Sequence, residues 1–350
     1  MVTLKQIAEA CGMSITQVSR ALNDHLDVSE KSKKRILRVA NEMGYVKNLF
    51  ASSLVNRTSN MIAVIIEGAE ADNVDPLSLN IYQLQLGISE AASTANLEPF
   101  IYLKKRSTKL DYVNFCKQRY ASGLIIFGSY YDSSEYIALQ NSDFPSVSID
   151  MMSEGPFSGS VVINNVFYSK TAVSQLIDNG CKKIAIICGS KSSYVTHERL
   201  SGYQIALSMN NIPYNEDLVY YADYNSALAS VATKELLKNH PDTDGIFCMS
   251  DQMAISCIET LKALNKDVPK DIKVFGFDGM YLGNIISPSL STIEQDFKLK
   301  GIAAVRLLSN IIRGEQIEKT IIIPCHAIFR ESSAANNDNN GRVAKPTFMS

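Results

Sequence analysis

Three apolar runs of this 350-residue chain end on groups that could hold a small polar molecule. They are Ser146-Val147-Ser148-Ile149-Asp150, Ile246-Phe247-Cys248-Met249 followed by Ser250-Asp251-Gln252, and Val274-Phe275-Gly276-Phe277-Asp278. Carboxylates beside amides and hydroxyls accept the O–H groups of a neutral polyol in a partly dry pocket. The same side chains also cap helices and line loops, so spacing alone leaves their convergence open. Catalytic chemistry has less material. The sequence contains no G-x-G-x-x-G, G-x-x-x-x-G-K-[ST], G-x-S-x-G or H-E-x-x-H. None of the four histidines (His25, His197, His240, His326) lies in a recognisable catalytic motif, and His197 beside Glu198 reads best as a capping or surface residue. Seven scattered cysteines without C-x-x-C read as buried free thiols, so no metal or cofactor is implied.

Those carboxylates need elements that bring them together. Strand candidates are Met61–Glu67, Pro99–Leu103, Gly123–Gly128 and Ser146–Asp150, then Lys183–Gly189, Leu218–Ala222, Gly245–Ser250 and Lys273–Asp278, with helical stretches between. Uninterrupted apolar strands alternating with helices imply parallel sheets covered on both faces. Ligands of such sheets bind beyond the carboxyl ends of the strands, and two such units side by side make a cleft.

A 46% apolar and 20% charged composition excludes a wholly disordered chain. No run approaches the ~20 apolar residues that span a bilayer. The N-terminus lacks a charged-then-apolar export pattern, so a cytoplasmic protein without membrane contact is expected. The net charge of −2 conceals an asymmetry: residues 1–60 carry nine Lys/Arg against five acids, a net +4. A basic head on an acidic body suggests that the head meets a polyanion.

The head reads as three short helices. Thr3-x-x-Gln6 is a capping box, and Leu4, Ile7, Ala8 and Cys11 make one apolar stripe before Gly12. Ser14-x-x-Gln17 opens a second helix that buries Val18, Ala21 and Leu22 and leaves Thr16, Gln17, Ser19, Arg20 and Asn23 outward. A third starts near Ser29 and buries Ile36, Val39, Ala40 and Met43. This is a helix-turn-helix pattern. Uncharged hydrogen-bonding groups plus one arginine suit base edges better than they suit a generic three-helix bundle.

The run Val2-Thr3-Leu4-Lys5-Gln6-Ile7-Ala8, then Gly12-Met13-Ser14 and Val18-Ser19-Arg20-Ala21-Leu22-Asn23, resembles the head of the LacI/GalR family of bacterial transcription regulators. The resemblance implies that the second helix enters the major groove, with Ser14, Ile15, Thr16 and Gln17 toward the bases and Arg20 reaching guanine or phosphate. Thr3, Ser19, Asn23 and Ser29 would then meet backbone phosphates. In Asn48–Asn56, Leu54 matches the leucine that wedges into the minor groove, and Ala51 the small residue between paired hinge helices. Lys47 stands where the family often has proline, which implies a looser start to the hinge.

The body resembles the same family over about residues 61–333. The blocks are Glu198–Tyr203, Ser250–Ala254, Gly276–Asp278, Ser291–Phe297 and Arg330–Ser333. Carried over residue by residue, the resemblance assigns Arg199 and Asp278 to the effector's hydroxyls, Asp150 to the first-lobe wall and Tyr224 to stacking. Asn165, Ser250, Gln252, Gln295 and Phe297 fall on pocket positions. The acidic loop Gly68–Ser78 departs from the family's Asn-Pro-aromatic motif.

The expected architecture is a small all-α helix-turn-helix DNA-binding head plus an α/β periplasmic-binding-protein-like body of two doubly wound parallel-sheet lobes. The head spans 1–46 and a hinge 47–60. The body spans 61–333, with one lobe at about 61–161 and 292–320 and the other at about 162–291 and 321–333. A disordered tail at 334–350 has no leucine and implies a dimeric member of the family. The expected function is a homodimeric repressor that binds double-stranded operator DNA and answers to a small-molecule effector, a sugar. The alternatives are a nucleoside or purine effector or, in other classes, an α/β enzyme or a stand-alone sugar-binding protein. The sequence fixes neither the operator nor the sign of the effector's action.

Overall fold

The computed structural model describes residues 2–22, 27–45, 59–68, 77–316 and 318–335. Asn23, hinge residues 47–58 with Lys47, Ala51 and Leu54, most of the acidic loop and the tail beyond 335 lie outside the described residues. The chain forms two compact units, Met1–Ser59 and Asn60–Ser350.

In the first unit, α1 (Leu4–Cys11), α2 (Ile15–Leu22) and α3 (Glu30–Glu42) enclose Ile7, Cys11, Val18, Ala21, Ile36 and Ala40. Ile7, Val18 and Ile36 are completely buried. At roughly 1.5–3 kcal/mol for each large aliphatic side chain, they are the main stabilisation of this small core. Gly12 ends α1 at φ +60, a conformation that glycine adopts without the Cβ penalty.

Among its described residues the second unit has two parallel sheets and a short antiparallel one. In the first lobe, β1 (Met61–Glu67), β2 (Glu98–Lys104), β3 (Gly123–Phe127), β4 (Ser146–Ile149), β5 (Ser158–Val162) and β11 (Thr320–Ile322) lie in the order β11-β5-β4-β3-β1-β2, all parallel. Helices α4 (Leu77–Thr94) and α11 (Phe297–Ile312) run together along it, while α5 (Tyr112–Gln118) and α6 (Ser134–Gln140) belong to its other apolar layer. In the second lobe, β6 (Ile184–Cys188), β7 (Val219–Tyr221), β8 (Gly245–Cys248) and β9 (Lys273–Phe275) form a parallel sheet ordered β7-β6-β8-β9. Helices α7 (Asn165–Asp178) and α8 (Tyr194–Met209) pack together, as do α9 (Ser226–Asn239) and α10 (Asp251–Ala263).

The eight expected strands are present, and four more are added. β5 reads Ser-Gly-Ser-Val-Val, too small and polar to stand out, yet all five residues are buried. A Cβ on Gly159 would come within 2.8 Å of Leu307 of α11, so the glycine admits that helix. β10 (Thr292–Gln295) and β12 (Cys325–Ile328) form a separate antiparallel ribbon where the chain passes between lobes. The changeover expected at 320/321 falls inside β11, whose ladder continues as Ile323 N–H donates to Val162 O.

Candidate DNA-reading face and effector cleft

The head's exposed face is set by local hydrogen bonds. Thr3 and Gln6 close a capping box at α1, with Thr3 N–H donating to Gln6 Oε1 at 2.9 Å. Ser14 and Gln17 repeat it at α2: Gln17 N–H donates to Ser14 Oγ at 3.2 Å and Ser14 N–H to Gln17 Oε1 at 3.3 Å. Ser29 caps α3 by accepting from Ser32 N–H at 3.3 Å. Ile15 is 49% exposed. Thr16, Gln17 and Arg20 are exposed and Ser19 is half-buried. The Arg20 guanidinium sits 2.5 Å from Asp27, a solvent-exposed pair that the sequence did not suggest.

In the body, sheet geometry delivers the carboxylates. Asp150 (φ +61) follows β4 and Asp278 (φ +122) lies beyond β9, both at the turn out of the sheet. A chain of polar contacts joins them. Lys300 of α11, with no exposed surface, donates to Asp150 Oδ1 and to Gln295 Oε1, each at 2.5 Å. Gln295 Nε2 donates to Asp278 Oδ1 at 2.7 Å. Asp278 Oδ1 lies 3.8 Å from Arg199 Nη1. The Arg199 guanidinium stacks 3.6 Å over the Phe277 ring, donates from Nε to Asn165 Oδ1 at 3.0 Å, and hydrogen-bonds Met249 O. Asn165 Nδ2 donates to Glu198 at 3.0 Å.

Asp150, Asn165, Arg199, Asp278 and Gln295 are therefore brought together, and Phe297 adjoins them with its ring centre 4.8 Å from Lys300 Nζ. Tyr224 is half-buried at φ +56. Its ring lies over Gly189, where a Cβ would come within 2.0 Å, and its hydroxyl meets Thr196 Oγ1 at 3.0 Å. Ser250 is taken up differently, as the N-cap of α10. Gln252 is 6% exposed, and its buried Oε1 has no partner among the described residues. Asp251 is fully buried, accepting from Thr292 Oγ1 and Met280 N–H at 2.6 Å, which makes it a structural residue. His197 is exposed and meets Tyr131 of the first lobe at 3.4 Å.

Burial pushes the Asp278 carboxyl up to about 7, against the opposing pull of Arg199. Burial likewise raises Asp251 to about 6, with the Thr292 hydrogen bond opposing. Sequence reasoning missed Lys300. Its signal was a lysine inside the otherwise apolar face of α11, with Phe297, Gly301 and Ala304. A cavity of about 250 Å³ lies elsewhere, between α4 and α11, near Thr94, Arg306, Ser309 and Arg313. Among the described residues no helix is long and apolar enough to cross a membrane, and no cluster of His, Cys, Asp or Glu could hold a metal ion.

Comparison with known proteins places both regions. Residues 3–48 match the family of bacterial regulatory proteins, lacI family, and residues 173–333 match a periplasmic binding protein-like domain. The head is a LacI-family DNA-binding domain, joined to a periplasmic binding protein-like domain. The ribose operon repressor of Halalkalibacterium halodurans is 28% identical over 347 residues, covering 97% of this chain and 99% of that protein. A solved complex of the transcriptional regulator CelR with cellobiose is 26% identical, with a TM-score of 0.71 over 95% of this chain and 100% of the other. The lac repressor dimer bound to operator and an anti-inducer shares the fold at 24% identity, with a TM-score of 0.83 over 95% and 99%. The chain is thus a DNA-binding transcription regulator with a LacI-family helix-turn-helix head and a two-lobed α/β body.

Proposed function

We propose that this regulator is a cytoplasmic homodimeric repressor, without enzymatic activity, whose operator affinity is set by a neutral sugar held between the lobes. The observation that carries the sugar is the convergence of Asp150 and Asp278, 128 positions apart in sequence, on one network with Arg199 and Gln295. Two carboxylates and a guanidinium match the alternating donors and acceptors of a polyol. Similarity to a ribose operon repressor and to a cellobiose-bound regulator supports the same class.

Within the head, Ile15, Thr16, Gln17 and Arg20 read base edges, while Thr3, Ser19 and Ser29, with Asn23, position it on phosphates. Ala51 and Leu54 of the hinge engage the minor groove. Leu79, Tyr82 and Leu86 of α4, all at least 39% exposed at i, i+3 and i+7, supply an apolar stripe for the second copy. The effector changes operator affinity through its differential affinity for the DNA-competent and incompetent states.

A thermal-shift screen of the full chain against sugars, sugar phosphates and nucleosides tests this reading. A sugar at a hundredfold its Kd adds about 2.7 kcal/mol of stability. The same sugar must then change operator affinity in a DNA titration. A shift by nucleosides alone replaces the sugar with a purine-type effector and keeps the regulator.

A further inference from the structure

Lys300 fixes the direction of the hydrogen bonds that the Gln295 side chain makes. Its ammonium has donors only, so it can meet the Gln295 amide solely through Oε1. The amide's N–H groups are thereby turned to Asp278 Oδ1. If the amide were reversed, its N–H groups would meet the Lys300 ammonium, donor against donor, and its carbonyl oxygen would face Asp278, a pairing open only while that carboxyl is protonated. The second ammonium contact holds Asp150 Oδ1, and the side chain of that carboxylate keeps 14% of its surface exposed.

We propose that Lys300 is a positioning residue that locks the Gln295 amide, presents Asp150 and the ionised form of Asp278 as hydrogen-bond acceptors, and so restricts this face of the cleft to effector groups that donate, the hydroxyls of a neutral polyol. The specificity rests on the sugar reading above, whereas the locked amide does not. An acidic effector at this face meets two carboxylates, and the cations beside them are already engaged, Lys300 with Asp150 and Gln295 and Arg199 with Asn165 and Met249 O. The charged and titratable groups around Asp278 are Arg199 of α8, Asp251 of α10 and Lys300 of α11, with Tyr224, Asp150 and Cys325 in the same neighbourhood. Lys300 pulls the Asp278 carboxyl down against its burial.

The test needs no effector. The Asp278 carboxyl is titrated by carbon NMR in the full chain labelled at aspartate carboxyl carbons, with Asp278→Asn identifying the signal. Lys300→Met keeps nearly the same volume and should move the midpoint up by about one pH unit or more, while Lys300→Arg should hold it. Asp150→Asn with Lys300→Met removes both charges together and serves if the single variant does not fold. In a Gln295→Met background, Lys300→Met should move the midpoint less than half as far. An unmoved midpoint in the Met variants, or an equal shift without Gln295, overturns the positioning role. Binding of D-ribose, cellobiose and D-galacturonate is then compared by calorimetry. Wild type should take a neutral sugar at least tenfold more tightly than the acid, and Lys300→Met should narrow that ratio; wild-type preference for the acid overturns the restriction. A moved midpoint with no sugar bound leaves the locked amide standing and removes the sugar reading.

Discussion

The head and the cleft solve the problem of presenting side chains in opposite ways. The exposed capping residues of the head are held by hydrogen bonds three positions away, Thr3–Gln6, Ser14–Gln17 and Ser29–Ser32. The cleft is aimed by contacts between distant segments, the longest joining Asp150 to Lys300 across 150 positions. Local aiming leaves the reading face exposed and ready for any duplex. Distant aiming makes the effector groups depend on how the two lobes and the crossover ribbon sit together. That dependence lets a ligand bias the arrangement, because its contacts exist only when the segments converge.

The most damaging way to test this contrast is Asp278→Ala. It removes an acceptor that holds Gln295 and faces Arg199, and hydrogen bonds to charged groups contribute about 1.5–3 kcal/mol each. Effector affinity should fall at least a hundredfold while operator affinity without effector holds. A preserved operator response to the sugar found by screening would remove Asp278 from the site. Next comes Arg20→Ala in the head, which should cost about 1–3 kcal/mol of specific operator binding, measured against a scrambled duplex, with thermal stability little changed. Unchanged operator affinity would sink the assignment of α2 as the reading helix.

The contrast also decides what was legible in the sequence. Capping boxes, the Gly12 stop and the apolar stripes of α1 to α3 are written at spacings of three and four, and the structure repeats them. The central strands were legible because all-apolar runs such as Ile184–Cys188 have few other uses. β5 was not, because its burial depends on Gly159 admitting α11, a fact of packing rather than composition. Within the site, Asp150 and Asp278 stood out at strand ends. Lys300 did not, because a lysine on a helix ordinarily reads as solvated and its partners lie on a strand end and a ribbon. Ser250 shows the converse: its side chain has the right chemistry, yet its hydroxyl is held in a helix cap.

Asp278 also sharpens the comparison through pH. Its folded-state value near 7 exceeds the ordinary carboxylate value near 4, so the native state holds a proton that the unfolded chain has lost between those limits. The contribution of this carboxyl to stability is present in full below pH 4 and declines as pH rises to about 7. Asp278→Asn should flatten that portion of the stability profile measured by urea unfolding from pH 4.5 to 8. A head-only substitution such as Ser14→Ala should leave the slope alone and cost about 1 kcal/mol of head stability through its lost cap.

The smallest effect expected comes from Asp27→Asn. The Arg20–Asp27 pair is short, but its side chains are 54% and 50% exposed, and exposed pairs contribute about 0–1 kcal/mol. Stability should therefore barely change. Operator binding is different, because Arg20 must leave Asp27 to reach a base or phosphate, and a carboxylate beside DNA repels the backbone. Removing that charge should raise affinity for specific and unrelated duplexes alike, by severalfold at low salt, with the gain shrinking as salt rises. A gain confined to one operator sequence would instead mean that Asp27 helps Arg20 choose its base. The head's aiming would then extend beyond its caps to an ion pair seven positions apart.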